Sequence, residues 1–254
     1  MVRLSVASLV LLPVVVQVWR KVKKRDFLLM FVIGLTGNGL PGFLFPAAET
    51  VIDSAVAGVL NAMSPLFILL LAWLMFRKTF PFRNVIGILV GFGGAITLMV
   101  AGKEGVDFTQ NVQYSLLIVA ATISYSIAAN VTKGFFNEYN PVWLTAFALA
   151  SVGYPAVVYL AFDGEFWTTL AEHPHGMASL GYIAIIGAVG TALAVILFNR
   201  MLQIGNIIFA SSVTYTIPLV AVMWGVLFFD ESMGWQHFLG FGIILCGVYL
   251  VNRK

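Results

Sequence analysis

Nine apolar runs of about 17–25 residues fill most of the chain: Val2–Trp19, Phe27–Pro46, Ser54–Phe76, Asn84–Ala101, Val112–Lys133, Pro141–Phe162, Met177–Arg200, Ile207–Phe229 and Gln236–Asn252. Each is long enough to cross the hydrocarbon core of a bilayer as a helix. The connecting loops do not exceed about fifteen residues, which leaves no room between the runs for a soluble domain or a nucleotide-binding motor. Any pumping would therefore be driven by a gradient or a partner. With 60% hydrophobic and only 10% charged residues, the composition lies far from soluble usage. The expected fold is an all-α polytopic membrane protein with nine transmembrane helices. The basic residues are dispersed among short loops, so the net charge of +3 is no sign of nucleic-acid binding. No small-residue cleavage site follows the first run, so it is not a signal peptide.

The chain is internally duplicated. Residues 33–95 align with 186–248 without a gap, pairing Gly34 with Gly187, Gly37 with Gly190, Phe45 with Phe198, Pro65 with Pro218, Gly87 with Gly240 and Gly94 with Gly247. Further back the register shifts, and Val10, Pro13, Val15 and Val16 match Val152, Pro155, Val157 and Val158. Spans one to four (1–101) thus pair with spans six to nine, and the second repeat, 112–254, adds span five without a partner. The pairing implies one more helix upstream of Met1, either from a start further upstream, the favoured reading, or lost in a nine-helix variant. The basic Arg77-Lys78 pair falls on the acidic Asp230-Glu231 pair. A loop that changes sign between copies suggests halves inserted upside down relative to each other, an arrangement that recurs in secondary transporters and forms a central site.

Orientation follows from the basic residues. With the Arg20–Arg25 loop in the cytoplasm, Arg77, Lys78, Arg83, Lys133, Arg200, Arg253 and Lys254 also fall inside, and only Arg3 and Lys103 fall outside. The carboxyl terminus is then cytoplasmic. Trp19, Trp73, Trp143 and Trp235 lie near expected interfaces, as an aromatic belt requires.

The stretches "AGVLNAMSPLFILLLAWLMFRKTFPFRNVIGILVGFGGAITLMV" and "ASSVTYTIPLVAVMWGVLFFDESMGWQHFLGFGIILCGVYLV" share an order of features: small residues, a mid-helix proline, a charged loop and a glycine-spaced closing helix. In this they resemble the EamA-type unit of the drug/metabolite transporter superfamily, and the resemblance covers both halves. It implies a ten-helix, five-plus-five inverted repeat, here without its first helix. It also implies movement of small metabolites, often outward, across a membrane that in a bacterium is the inner one.

Pro65 and Pro218 sit in mid-span and are expected to kink their helices. Each removes a backbone hydrogen bond and frees the carbonyl four residues earlier, at Asn61 and Thr214. Those two residues are themselves repeat partners, as are Asn38 and Thr191. Paired polar positions at equal depth point to a central substrate site. Ser212 and Tyr215 add hydroxyls beside Thr214. On span five a polar stripe of Ser115, Thr122, Ser126, Asn130 and Lys133, with Tyr125 close by, faces a cavity or a partner helix rather than lipid. Lys133 is expected to snorkel to the cytoplasmic surface. The candidate substrate-binding set is therefore Asn38, Asn61, Tyr125, Asn130, Thr191, Ser212, Thr214 and Tyr215. Against each stands the plain alternative of interhelical packing.

Ionisable residues are missing from the middle of every span, so neither a proton relay nor a fixed-charge ligand site is indicated. Asp53, at the outer end of span three, reads as a helix N-cap. A phosphorylated substrate would call for buried Arg or Lys. A neutral or zwitterionic metabolite, such as an amino acid, fits better. The glycines at 87, 91 and 94 and at 240 and 247 are packing positions; "GFGG" lacks the context of a phosphate loop. His173 and His175 read as solvated loop residues, and Cys246 as a packed small side chain. No metal, cofactor or catalytic constellation is expected. The partners are a small-molecule substrate and the lipid bilayer; nucleic acid is not one. The oligomeric state stays open, with a dimer among the options. The alternatives are a truncated, non-transporting protein or scaffold and, within transport, an exporter of lipophilic or aromatic drugs.

Overall fold

The computed structural model describes residues 1–52, 54–100, 112–205, 207–217 and 234–252, with positions 220, 223 and 227. Asp53, Pro218 and the Asp230-Glu231 loop lie outside the described residues. In chain order the helices are α1 (Val2–Val10), α2 (Leu12–Val18), α3 (Lys24–Gly34), α4 (Leu40–Glu49), α5 (Ser54–Asn61), α6 (Ser64–Phe76), α7 (Phe82–Val100), α8 (Val112–Phe135), α9 (Pro141–Phe162), α10 (Gly164–Glu172), α11 (Gly176–Ile185), α12 (Ala194–Ile204), α13 (Ile207–Ser212) and α14 (Trp235–Asn252). Among the described residues five spans are long and apolar enough to cross a membrane: Lys24–Glu49, Val56–Phe76, Val112–Phe135, Pro141–Phe162 and Gly176–Ile204. A sixth would join α1 to α2, while α7 and α14 carry shorter apolar stretches. The eighth expected run is described only at its start.

Local chemistry explains the boundaries. At the start of α9 the Asn140 side chain accepts from the Val142 and Trp143 amides at 2.9 and 3.3 Å. Pro141, which has no amide hydrogen to leave unsatisfied, takes the first helical position. The first expected span is not straight. Pro13 opens α2, and α1 and α2 meet at 46°. The outer loop expected around residue 170 contains a helix, α10, whose N-cap Asp163 accepts from the Phe166 amide at 3.2 Å. His173 and His175 follow it and are exposed.

The chain folds into two compact units that cut across chain order. Unit 1 is Met1–Gly42 with Val131–Ile204; unit 2 is Phe43–Asn130 with Gly205–Lys254. Each combines a stretch from before residue 101 with one from after residue 112. In unit 1 the core gathers Leu4 and Ala7 of α1, and Leu11 just past its end, with Ala146 and Leu149 of α9 and with Ala192. In unit 2 a core cluster joins Ala48, Ile52, Ala57 and Ile118.

Several of the closest helix contacts run through glycine, and four of them correspond in the repeat register. In unit 2, α7 and α14 form the most extensive helix pair of the protein. A β-carbon on Gly94 would fall 2.7 Å from the Ile244 amide nitrogen, and one on Gly247 would fall 2.5 Å from that of Gly91. Position 94 corresponds to 247 in the repeat register, and 91 to 244, so the two contacts exchange. Gly87 faces Val251; contact positions rise along α7 as they fall along α14, which makes the pair antiparallel. In unit 1 a β-carbon on Gly34 would collide with the Ala148 carbonyl, and one on Gly187 would lie 2.9 Å from Val6. Position 34 corresponds to 187 and 6 to 148, so this pair exchanges too.

The same positions share a backbone irregularity. Leu35–Gly39 and Ile186–Leu193 are both π-helical, and under the repeat register the second covers the first. The α5–α6 break at Ala62–Met63 corresponds to Tyr215 and Thr216, where the 3-10 turn Val213–Tyr215 ends.

Gly94→Leu or Gly247→Leu is expected to destabilise the protein by about 1–3 kcal/mol through overpacking. Gly93→Leu and Gly242→Leu, where a β-carbon meets nothing within 4 Å, should leave it unchanged. Thermal unfolding of the four variants in detergent makes the comparison.

Candidate functional site

Pro65 sits in the first turn of α6 instead of kinking one continuous helix. Its ring nitrogen cannot donate, so the Asn61 carbonyl loses its helical partner, and the chain breaks there because an opening turn tolerates that loss. The Ser64 hydroxyl donates to this carbonyl at 2.5 Å and lies 3.4 Å from the Asn61 amide oxygen. A carbonyl oxygen has two lone pairs, and this hydroxyl takes one of them. Asn61 itself is half-buried.

Ser64 ties this break to the polar stripe of α8. Ser126 Oγ, whose single hydrogen points mainly to the Thr122 carbonyl at 2.9 Å, also lies 3.3 Å from the Ser64 carbonyl, and Asn130 Nδ2 donates to the Ile68 carbonyl at 3.1 Å. Both contacts with α6 link positions 62 apart in sequence, a constant register that makes α6 and α8 parallel. Asn130 also donates to the Ser126 carbonyl at 2.9 Å and is 1% exposed. Its amide hydrogens are thus engaged by helix carbonyls. Tyr125, on the neighbouring face, is half-buried and tilts against Phe45 with ring centroids 6.0 Å apart. The stripe therefore faces a partner helix over Ser126 and Asn130. Further along, the Ser115 hydroxyl is buried without a partner.

The three candidates at and just past the end of α13 divide by environment. Ser212 is buried, and its hydroxyl donates to the Phe209 carbonyl at 2.9 Å. Tyr215 is fully buried against Gly91, where any β-carbon would lie 2.8 Å from its ring, and its hydroxyl donates to the Ile88 carbonyl at 3.0 Å. Gly91 thus makes room for a tyrosine that bonds α7. Thr214, between them, is half-buried in the 3-10 turn.

Unit 1 carries the remaining pair. Asn38 is half-buried within the first π segment. Thr191 is buried within the second, and its hydroxyl reaches the Ile186 carbonyl, five residues back, at 3.4 Å. Single π turns inside α-helices occur frequently at functional sites, and here both hold a repeat-paired polar residue.

Several polar groups escaped sequence reasoning. Asn199 donates to Thr145 Oγ1 at 2.9 Å in a fully buried pair. Gln203 Nε2 donates to the carbonyls of Phe136 and Tyr139, at 2.8 and 2.9 Å, just past the end of α8. In return Lys133, in the last turn of α8, donates to the Gln203 carbonyl near the end of α12 at 3.1 Å. The two helices cap each other's carboxyl ends, where unbonded carbonyls and negative partial charge collect. Lys133 is thus held by a helix end, where the sequence suggested only snorkelling. Beside this junction Tyr139 packs edge-on to Phe136. Burial first, and the nearby Asp26 carboxylate second, push its phenol above the usual range. The spacing of Asn199 and Gln203, four residues apart on one helix face, was the available signal.

Among the described residues the buried polar side chains are Ser, Thr, Asn and Gln, with the Tyr215 hydroxyl, and no cluster of three metal-ligating groups is present. The buried polar groups are therefore uncharged.

Comparison with known proteins places the chain in context. The profile of the EamA-like transporter family matches residues 1–100 and 113–253. An uncharacterized transporter of Archaeoglobus fulgidus is 23% identical over 252 residues, 99% of this chain and 87% of that one. The uncharacterized inner membrane transporter YedA of Escherichia coli K12 is 27% identical over 234 residues, 90% and 72% of the two chains. A probable terminal-alkyne amino-acid exporter of Streptantibioticus cattleyicolor is 22% identical over 240 residues, 92% and 76% of the two chains. One solved crystal structure shares the fold with a TM-score of 0.75 at 18% identity, over 99% of this chain and 85% of that one.

Replacing Ser64 by Ala leaves the Asn61 carbonyl without its hydroxyl donor. It is expected to cost about 1–3 kcal/mol of stability, whereas Thr50→Ala, at an exposed hydroxyl, should stay within about 0.5 kcal/mol. Unfolding midpoints in detergent measure both.

Proposed function

The chain belongs to the EamA-like transporter family, and from that premise we propose that it is a secondary transporter that exports small neutral or zwitterionic metabolites, amino acids among them. It acts by alternating access of two inverted repeats. The observation that carries this reading is the exchange of contacts between α7 and α14. Two copies related by an axis in the membrane plane place equivalent helices antiparallel, and a contact from residue i to residue j then recurs from the equivalent of j to that of i. The Gly94–Ile244 and Gly247–Gly91 contacts have that form, and the Gly34–Ala148 and Gly187–Val6 contacts support it independently.

In this reading the substrate contacts are the half-buried polar groups: Asn61 and Thr214 at the helix breaks with Tyr125, and, within the other unit, Asn38; Thr191 is buried with its hydroxyl on the Ile186 carbonyl and steadies its π segment. Asn130, Ser212 and Tyr215 hold the wall in place, since their hydrogens already bond helix carbonyls. A zwitterion's ammonium suits backbone carbonyls such as that of Asn61, and its carboxylate suits hydroxyl donors. The uncharged lining favours ligands with no net charge, because an unpaired ion there would lose its hydration without compensation. The amino-acid exporter among the relatives, at 22% identity, agrees with this class. Counting of basic loops supports a cytoplasmic carboxyl terminus, and in this reading the membrane is a bacterial inner membrane.

The test is the metabolite profile of the medium around cells producing the chain, compared with cells producing Asn61→Ala/Thr214→Ala at equal membrane level. A compound should accumulate with the unmodified chain and fall to background with the double variant. Undiminished export by the variant would remove the central-site assignment, and no accumulating compound in either culture would remove export.

A further inference from the structure

A second feature lies at the other end of α6, where the helix closes on the Arg77–Pro81 loop. A groove of about 410 Å³ opens there, and its walls include Leu66, Leu69, Leu70, Trp73, Phe80 and Lys78. The lining changes character along the helix. Leu66, Leu69 and Leu70 lie toward the middle of the span, Trp73 comes one turn on, and Lys78 stands at the mouth. A bilayer presents the same order, with acyl chain at depth, aromatic belt at the interface and charge at the headgroup.

The length agrees as well. From Leu66 to the helix end at Phe76 is about 15 Å at 1.5 Å per residue, half of a hydrocarbon core about 30 Å thick. The groove therefore runs the depth of one leaflet. Leu70 and Trp73 are 54% and 58% exposed, open along the side that would meet lipid. The loop is tied down at its start. Arg77 takes the left-handed conformation at φ 50°, its amide donates to the Trp73 carbonyl at 2.9 Å, and the Lys78 amide donates to the Ala72 carbonyl at 3.3 Å. These bonds close the helix end in the manner of a Schellman cap and hold Lys78 at the groove mouth. The Lys78 ammonium stands 5.8 Å from the Phe76 ring, and among the described residues no carboxylate lines the groove or pairs with it.

We propose that this groove binds an acidic phospholipid of the leaflet on the Arg77–Lys78 side, with one acyl chain along Leu66–Trp73 and the phosphate at Lys78. Charge complementarity selects the headgroup, and the leucine–tryptophan wall selects a chain-bearing ligand over a free phosphate. The proposal does not depend on the transport reading. Charge counting puts this loop in the cytoplasm, where anionic lipid attracts juxtamembrane cations.

The test is native mass spectrometry of the full chain released from detergent. It is offered phosphatidylglycerol, phosphatidylcholine with the same acyl chains, or glycerol 1-phosphate alone. Phosphatidylglycerol should be retained in preference to phosphatidylcholine, and glycerol phosphate should not be retained. Lys78→Gln should lower phosphatidylglycerol retention about fivefold, the effect of losing one cation at a membrane surface, while Lys78→Arg keeps it. Leu70→Trp, which fills the groove, should lower retention even with Lys78 in place. Equal retention of the two lipids, or unchanged selectivity in Lys78→Gln, overturns the proposal. So does retention of glycerol phosphate as strong as that of the lipid, which would mark a simple anion site. Matching unfolding midpoints for the variants establish that a loss of retention is not a loss of fold.

Discussion

A peptide group inside a bilayer has no water to turn to, so each interruption of a helix must be repaired by the protein itself. The described structure can be understood as a set of such repairs. Pro65 removes a donor, and the Ser64 hydroxyl takes its place. The ends of α8 and α12 leave carbonyls open, and Lys133 and Gln203 cover them for each other. Tyr215 reaches across to the Ile88 carbonyl of α7. The polar groups of the π segments and of the α5–α6 break are the ones that the proposed transport function would draw on. Substrate chemistry and helix chemistry thus use the same small vocabulary of hydroxyls, amides and carbonyls.

Glycine sets the second constraint. In a hydrocarbon solvent two apolar helices gain little from hiding side chains, and close backbone approach supplies much of the attraction instead. Gly87, Gly91 and Gly94 allow that approach on α7, as Gly247 does on α14. Gly91 serves a second purpose by admitting the Tyr215 ring. The Gly94–Ile244 and Gly247–Gly91 contacts repeat one solution to close packing along the same helix pair.

Much of this was legible in the sequence, and the rest was hidden for identifiable reasons. The span Pro141–Phe162 could be read to the residue, because Asn140 and Pro141 are a strong start signal, and Val112 was likewise read as the start of α8. The repeat register put Asn38 opposite Thr191, and both fall in π segments. The π geometry itself could not be read: single-residue propensities do not encode it, and the contacts of Gly34 and Gly187 that accompany it are formed with distant helices. Proline at 65 gave the location of the break but not its repair, since Ser64 looks like any serine in a membrane helix. The bonds of Gln203 reach back more than sixty residues, beyond any local pattern. The α10 helix was missed because a short outer loop of mixed polarity carries no clear periodicity.

The interleaving of the two units has a bearing on how the protein is made. Met1–Gly42 finds its partners in Val131–Ile204, and Phe43–Asn130 completes its unit only with Gly205–Lys254. A nascent chain emerging amino end first therefore enters the membrane with its glycine faces unmatched until those later stretches are made. α7 waits for α14, which comes far later in the chain. Its assembly is governed by contacts distant in sequence, the kind that form late and leave intermediates exposed to aberrant association. Insertion and folding are consequently separate events for this protein, and membrane quality control has a long interval in which to act on it.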